Sequence, residues 1–156
     1  GYCWLPATCC AAWSSKLTSR VTTKSRGDEG EERALLYLQR QGLALVERNY
    51  RVARGPGARG AEVDLIMRDR DGTLVFVEVR QRTDGEHGDA AASVTRGKQR
   101  RCILGAKFYL QQLSVWPPCR FDVVAIDGDE LTWLPAAFDA SSRGVGTGFS
   151  RPEARA

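Results

Sequence analysis

The sequence predicts an α/β fold, a single domain in which a mixed β-sheet is flanked by α-helices. Three observations carry this. Residues 62–82 alternate as two strands around a short polar turn. Helical apolar spacing precedes them at 28–42 and follows them at 95–113. Two more strand-like runs then close the chain. The order helix, three strands, helix, two strands puts both helices against one sheet.

The 156 residues, 42% hydrophobic and 27% charged, suit one domain with a sizeable core. Residues 1–26 read as a poorly ordered basic leader, 27–139 as the folded domain and 140–156 as a disordered Gly/Ser/Arg-rich tail. The net charge of +4 sits in these ends. Residues 1–26 hold four basic side chains and no acid, and 140–156 hold three basic and one acidic, which leaves −2 for 27–139. Overall basicity is therefore weak support for nucleic-acid binding, and local clusters are the better guide. No apolar run approaches the roughly 20 residues of a membrane span. Five cysteines without a Cys-x-x-Cys pair, and a lone His87, imply neither a zinc site nor a disulfide framework. A reducing cytoplasm fits, and Lys16 and Arg20 follow the early apolar segment, the wrong order for a secretory signal.

The first helix opens on Asp28-Glu29-Gly30-Glu31, a capping-box pattern with Asp28 as N-cap. Ala34, Leu35 and Leu38 form its apolar stripe, and it stops at Gly42. Glu31 lies on that stripe, where capping and a functional role are both open. Leu43–Val52 reads as a strand. Residues 53–60 form a glycine-rich loop with Arg54 and Arg59, either a phosphate contact or plain surface.

In the hairpin, Val63, Leu65 and Met67 share one face of the first strand, opposite Glu62, Asp64 and Ile66. In the second strand Val75, Val77 and Val79 oppose Phe76, Glu78 and Arg80. Pairing symmetric about Asp71 sets Asp64 opposite Glu78 and Glu62 opposite Arg80. Facing like charges destabilise a strand pair. A hard divalent cation between the two carboxylates removes that penalty, because it takes oxygen ligands at about 2.0–2.6 Å. The alternative is a Glu62–Arg80 ion pair, with Asp64 and Glu78 splayed into water.

A polar loop at 83–94 holds His87, a solvated residue or a contributor to a site. Thr95–Leu113 is the second helix, with Ile103, Ala106, Leu110 and Leu113 at helical spacing. Its first turns carry Arg96, Lys98, Arg100 and Arg101 without an acid, suited to phosphate or simply to water. Arg120–Ile126 is a strand, and Asp127-Gly128-Asp129 turns into a short one at Leu131–Leu134. A P-loop, a dinucleotide fingerprint and a nucleophile elbow are absent.

Several motifs in the correct order resemble the YraN family: Gly30-Glu31-x-x-Ala34, Ala61-Glu62-Val63-Asp64-Leu65-Ile66, Val75-Phe76-Val77-Glu78-Val79-Arg80-x-Arg82, Lys98-Gln99 and Arg120-Phe121-Asp122-Val123-Val124. The likeness covers roughly residues 27–139. It implies a restriction-endonuclease-like fold, similar to Holliday-junction resolvases, and a nuclease site built from Glu31, Asp64, Glu78 and position 80. Asp64 and Glu78 would hold Mg²⁺ or Mn²⁺, and Glu31 would bind the metal or orient a water. Arg80 and Arg82 would grip phosphate, with Arg96, Lys98, Arg100 and Arg101 along the nucleic-acid backbone. The implied partner is nucleic acid, DNA in the first instance and branched or linear, with no membrane; junction-cutting relatives suggest a homodimer.

The chain departs from the family at Arg80, where lysine is usual. An arginine stays protonated at every relevant pH, so it can bind phosphate but cannot serve as a base. That change favours an alternative, a binding module with a degenerate nuclease site. A protein-interaction domain with the hairpin as ordinary surface is the third reading.

Overall fold

The structure, a computed structural model, describes residues 23–58, 60–82 and 94–140. Within them the elements follow in the expected order: α1 (Thr23–Arg40), β1 (Ala44–Val52), β2 (Ala61–Arg68), β3 (Leu74–Arg82), α2 (Arg96–Gln111), β4 (Cys119–Asp127) and β5 (Glu130–Phe138). The leader ahead of Thr23, Arg59, His87 with most of its loop, and the tail after Ala140 lie outside the described residues.

The five strands lie in sequence order. Neighbours are antiparallel except for β3 and β4, which are parallel. A parallel step needs a crossover, and α2 supplies it. The sheet is therefore mixed, as expected.

Side-chain alternation sorts the core into two layers. Leu65, Met67, Val75 and Val77 pack with Ala34, Leu35 and Leu38 of α1. Ile66, Leu74 and Phe76 pack with Cys102, Ile103, Ala106 and Leu110 of α2. Val63 departs from its expected face: it joins the α2 layer rather than Leu65 and Met67. There α2 comes close to β2. A Cβ on Gly105 would lie 2.7 Å from Val63 Cγ2, so only glycine lets the helix settle there.

Two of three expected boundaries move. Asp28 is an interior residue of α1, because the helix already runs from Thr23 and an N-cap needs non-helical backbone. Thr95 does cap α2, its Oγ1 accepting from Lys98 N at 3.4 Å. β5 is nine residues long, not four, and accommodates Pro135 because an edge strand does not need every N–H in the ladder.

The β4–β5 register shifts between Phe121 and Val123. Asp122, fully buried, uses that irregularity: Oδ1 accepts from Ala136 N at 3.0 Å and Oδ2 from Trp133 Nε1 at 3.0 Å. Arg120 Nε donates to Asp122 Oδ1 at 3.1 Å, and Arg120 Nη1 reaches Asp69 Oδ2 at 2.8 Å. The cluster fastens β5 and the β2–β3 turn to β4. Asp122→Ala leaves buried donors and a guanidinium without their acceptor, and should destabilise by roughly 3–5 kcal/mol. Urea unfolding checks this, and an unchanged midpoint would contradict the assigned role.

Candidate functional site

The site begins where β2 and β3 stop pairing. Their register is Leu65↔Val77, Ile66↔Phe76, Met67↔Val75 and Arg68↔Leu74, symmetric about Asp71 as expected. Beyond Leu65, β2 continues against β1, and beyond Val77, β3 continues against β4. In the wedge between them, Asp64 Oδ2 accepts from Val79 N at 2.8 Å. A side-chain carboxylate has taken the place of a backbone acceptor.

Glu78 is the next register position across from Asp64, and only 5% of it is exposed. The reading in which these carboxylates splay into water fails. Burial and the nearby negative charge of Asp64 push the Glu78 carboxyl up to about 7, against the pull of Lys98. Burial also raises Asp64, opposed by the Val79 amide and by Lys98. Lys98 Nζ lies 2.8 Å from Glu78 Oε1. The lysine expected on the nucleic-acid backbone thus has its head in the carboxylate pair.

Glu31 approaches from α1. That helix can sit close to β3 because the side chain of Gln81 occupies the space a Cβ on Gly30 would need. Burial first, and then the charge of Asp64, raise the Glu31 carboxyl, while a hydrogen bond from the Asn49 side chain lowers it. Its Oε2 is buried without a hydrogen-bond partner among the described residues. Asp64 is therefore the carboxylate whose charge both Glu31 and Glu78 feel.

The expected Glu62–Arg80 pair does not form, because the strands have already parted. Glu62 instead pairs with Arg51 Nη2 at 2.7 Å across β1, and with Arg101 Nη1 at 3.7 Å. Arg80 is half-buried, and its Nε has no hydrogen-bond partner among the described residues. Arg82 is half-buried at the end of β3, while Arg96 and Arg100 are exposed on α2. A cavity of about 50 Å³ is lined by Glu62, Asp64, Glu78, Lys98 and Arg101. A larger one, about 260 Å³, opens beside Cys119, Arg120 and Phe138, but its guanidinium is already held by Asp69 and Asp122.

Sequence reasoning missed Asn49 and Arg51. Asn49 adopts φ 51° inside β1, a left-handed conformation that asparagine tolerates, and its side chain meets Glu31. An asparagine inside a strand run was the available signal.

Among the described residues no three His, Cys, Asp or Glu side chains converge on one point. A cation here would have two carboxylates, with backbone and water completing its shell. Mg²⁺ is held in that way, by one or two carboxylates and several waters. The Asp64–Glu78 pair fits such an ion.

Comparison with known proteins agrees with the expected family. The profile described as uncharacterised protein family UPF0102 matches residues 30–126. A UPF0102 protein of Methylibium petroleiphilum is 64% identical over 121 residues, covering 78% of this chain and 99% of the relative. One from Cupriavidus taiwanensis is 53% identical over 134 residues, covering 86% and 98%. A solved structure, that of SSO0001, overlays with a TM-score of 0.34 at 13% identity, covering 72% of this chain and 50% of that one, and carries no argument.

Glu78 makes stability depend on pH. Its folded pKa of about 7 exceeds the ordinary 4.5, so its contribution is full below pH 4.5 and is lost as pH rises through 7. At about 1.4 kcal/mol per unit the loss is on the order of 3 kcal/mol. Thermal unfolding in chelator should show Tm falling from pH 5 to pH 8, with a flatter profile in Glu78→Gln. A wild-type Tm that rises over that range would contradict the burial of this charge.

Proposed function

The chain belongs to the UPF0102 family, and from the carboxylate pair where its second and third strands part we propose that it is a metal-dependent, endonuclease-like protein that hydrolyses phosphodiester bonds in DNA, branched or junction DNA included. The observation that carries the reading is the buried Glu78 beside half-buried Asp64, two acids held together in a poorly solvated wedge.

A divalent cation, Mg²⁺ or Mn²⁺, would lower the pKa of a bound water and offset charge on the phosphate. Asp64 and Glu78 would hold it. The Val79 amide holds Asp64 by Oδ2, and Oδ1 would serve the cation. Glu31, with its carboxyl raised and one oxygen unpartnered, is suited to accept a proton from a water and so orient it. Arg80 contributes a permanent charge for a phosphate oxygen and stabilises charge developing there. Arg96 and Arg100, exposed on the first turns of α2, suit backbone phosphates on either side. Arg101 and Arg51 flank Glu62 and give the acidic wedge a basic rim. A cytoplasmic setting and a dimer for two-strand cutting belong to the same proposal; no described helix is long and apolar enough to cross a membrane.

One observation favours a second reading, a nucleic-acid-binding module without catalysis. Position 80 carries an arginine. Such a module binds DNA in a salt-sensitive, metal-independent way and cuts nothing.

Cleavage of labelled linear and four-way-junction DNA with Mn²⁺ or Mg²⁺ separates the two. Wild type should cut, and Glu78→Ala should fall by a hundredfold or more, about 2.7 kcal/mol in the barrier. Equal cutting by Glu78→Ala in a contaminant-free preparation would sink the mechanism. Silence from wild type beside activity in Arg80→Lys would assign the disarmed site to one residue.

A further inference from the structure

We propose that Lys98 is a tethered counter-cation of this site: its ammonium and the divalent ion occupy Glu78 alternately, so metal binding expels Lys98 and delivers its charge to the incoming phosphate. The inference rests on the cation-site reading above and adds its regulation.

Charge opposes joint occupancy of the shared carboxylate. Lys98 Nζ lies 2.8 Å from Glu78 Oε1, and a divalent ion seeks the same oxygen at about 2.0–2.6 Å. The surrounding cavity is about 50 Å³. That space is what remains with the ammonium in place, so an ion entering it meets Lys98 on the carboxylate it needs. Two cations on one carboxylate would also repel strongly in a poorly solvated wedge.

The lysine is built to leave, and the glutamate is not. A third of the Lys98 side chain is exposed, against 6% of the Glu78 side chain. The Lys98 backbone is fixed in the first turn of α2, where its N–H donates to the Thr95 cap. Only the four-carbon stem has to swing. Released, the ammonium adds to Arg96 and Arg100, which are already exposed on the same turns. The lysine also keeps the acids compatible with the fold while no metal is bound, because its charge favours ionised Asp64 and Glu78. Metal loading and phosphate binding are therefore linked, and each strengthens the other.

The test is Mn²⁺ binding to metal-free protein, read by electron paramagnetic resonance and calorimetry without DNA. If the ammonium holds Glu78 for about nine-tenths of the time or more, Lys98→Met should bind Mn²⁺ at least about tenfold tighter than wild type. Lys98→Arg, which keeps a competing cation, should stay within about threefold of wild type. Unfolding curves establish that each variant is folded, and Lys98→Gln replaces Lys98→Met if the latter is not. Equal or weaker binding by the folded neutral variant would overturn the counter-cation role while leaving the metal site standing. No Mn²⁺ bound at millimolar concentration by any of these proteins would end both readings.

Discussion

β2 and β3 share a ladder only from Leu65 and Val77 to the turn, and the rest of the site follows from what happens beyond that pair. Each strand leaves for its other neighbour, and the wedge between them exposes backbone that needs a partner. Asp64 meets that need at Val79 N. The requirement fixes one carboxylate in a poorly solvated place, brings Glu78 opposite it, and admits Glu31 from the far layer beside Asn49. Neighbouring acids raise one another's pKa, and Lys98 is drawn onto Glu78. A sheet that stayed paired through this point would have no such site.

The fold was largely legible because its signals are local. Alternation in residues 62–68 and 74–80, and the polar turn between them, set the hairpin and its register about Asp71. Helical spacing in α2 and the Thr95 cap were equally plain. What failed was non-local. Nothing near Val63 in the chain reports that Gly105 will bring a helix against it. The long β5 was hidden by Pro135, which argues against a strand unless the strand is known to be an edge. Asp28 read as a cap because the residues ahead of it carry no apolar periodicity, yet the helix extends through them.

The site was half legible. Asp64 and Glu78 stood out as facing carboxylates, and the likeness to a known family singled out Glu31. Their partners did not stand out. Lys98 looked like one of several surface cations on a basic helix, and its place on Glu78 comes from the crossover that lays the first turn of α2 beside β3. Arg51 and Asn49 sit in β1, Arg51 eleven residues from Glu62 and Asn49 eighteen from Glu31, so only the fold brings them together. Glu62 went to Arg51 instead of Arg80 for the same reason. An arginine does not serve as a base, so a cleavage mechanism in this chain would leave proton transfer to the carboxylates and water.

The most direct measurement of the central claim is anomalous diffraction from crystals soaked in Mn²⁺. The account predicts a peak about 2.0–2.6 Å from carboxylate oxygens of both Asp64 and Glu78, with the Lys98 ammonium displaced from Glu78. An ordered wedge with no peak, and with Lys98 still on Glu78 at saturating Mn²⁺, would contradict it.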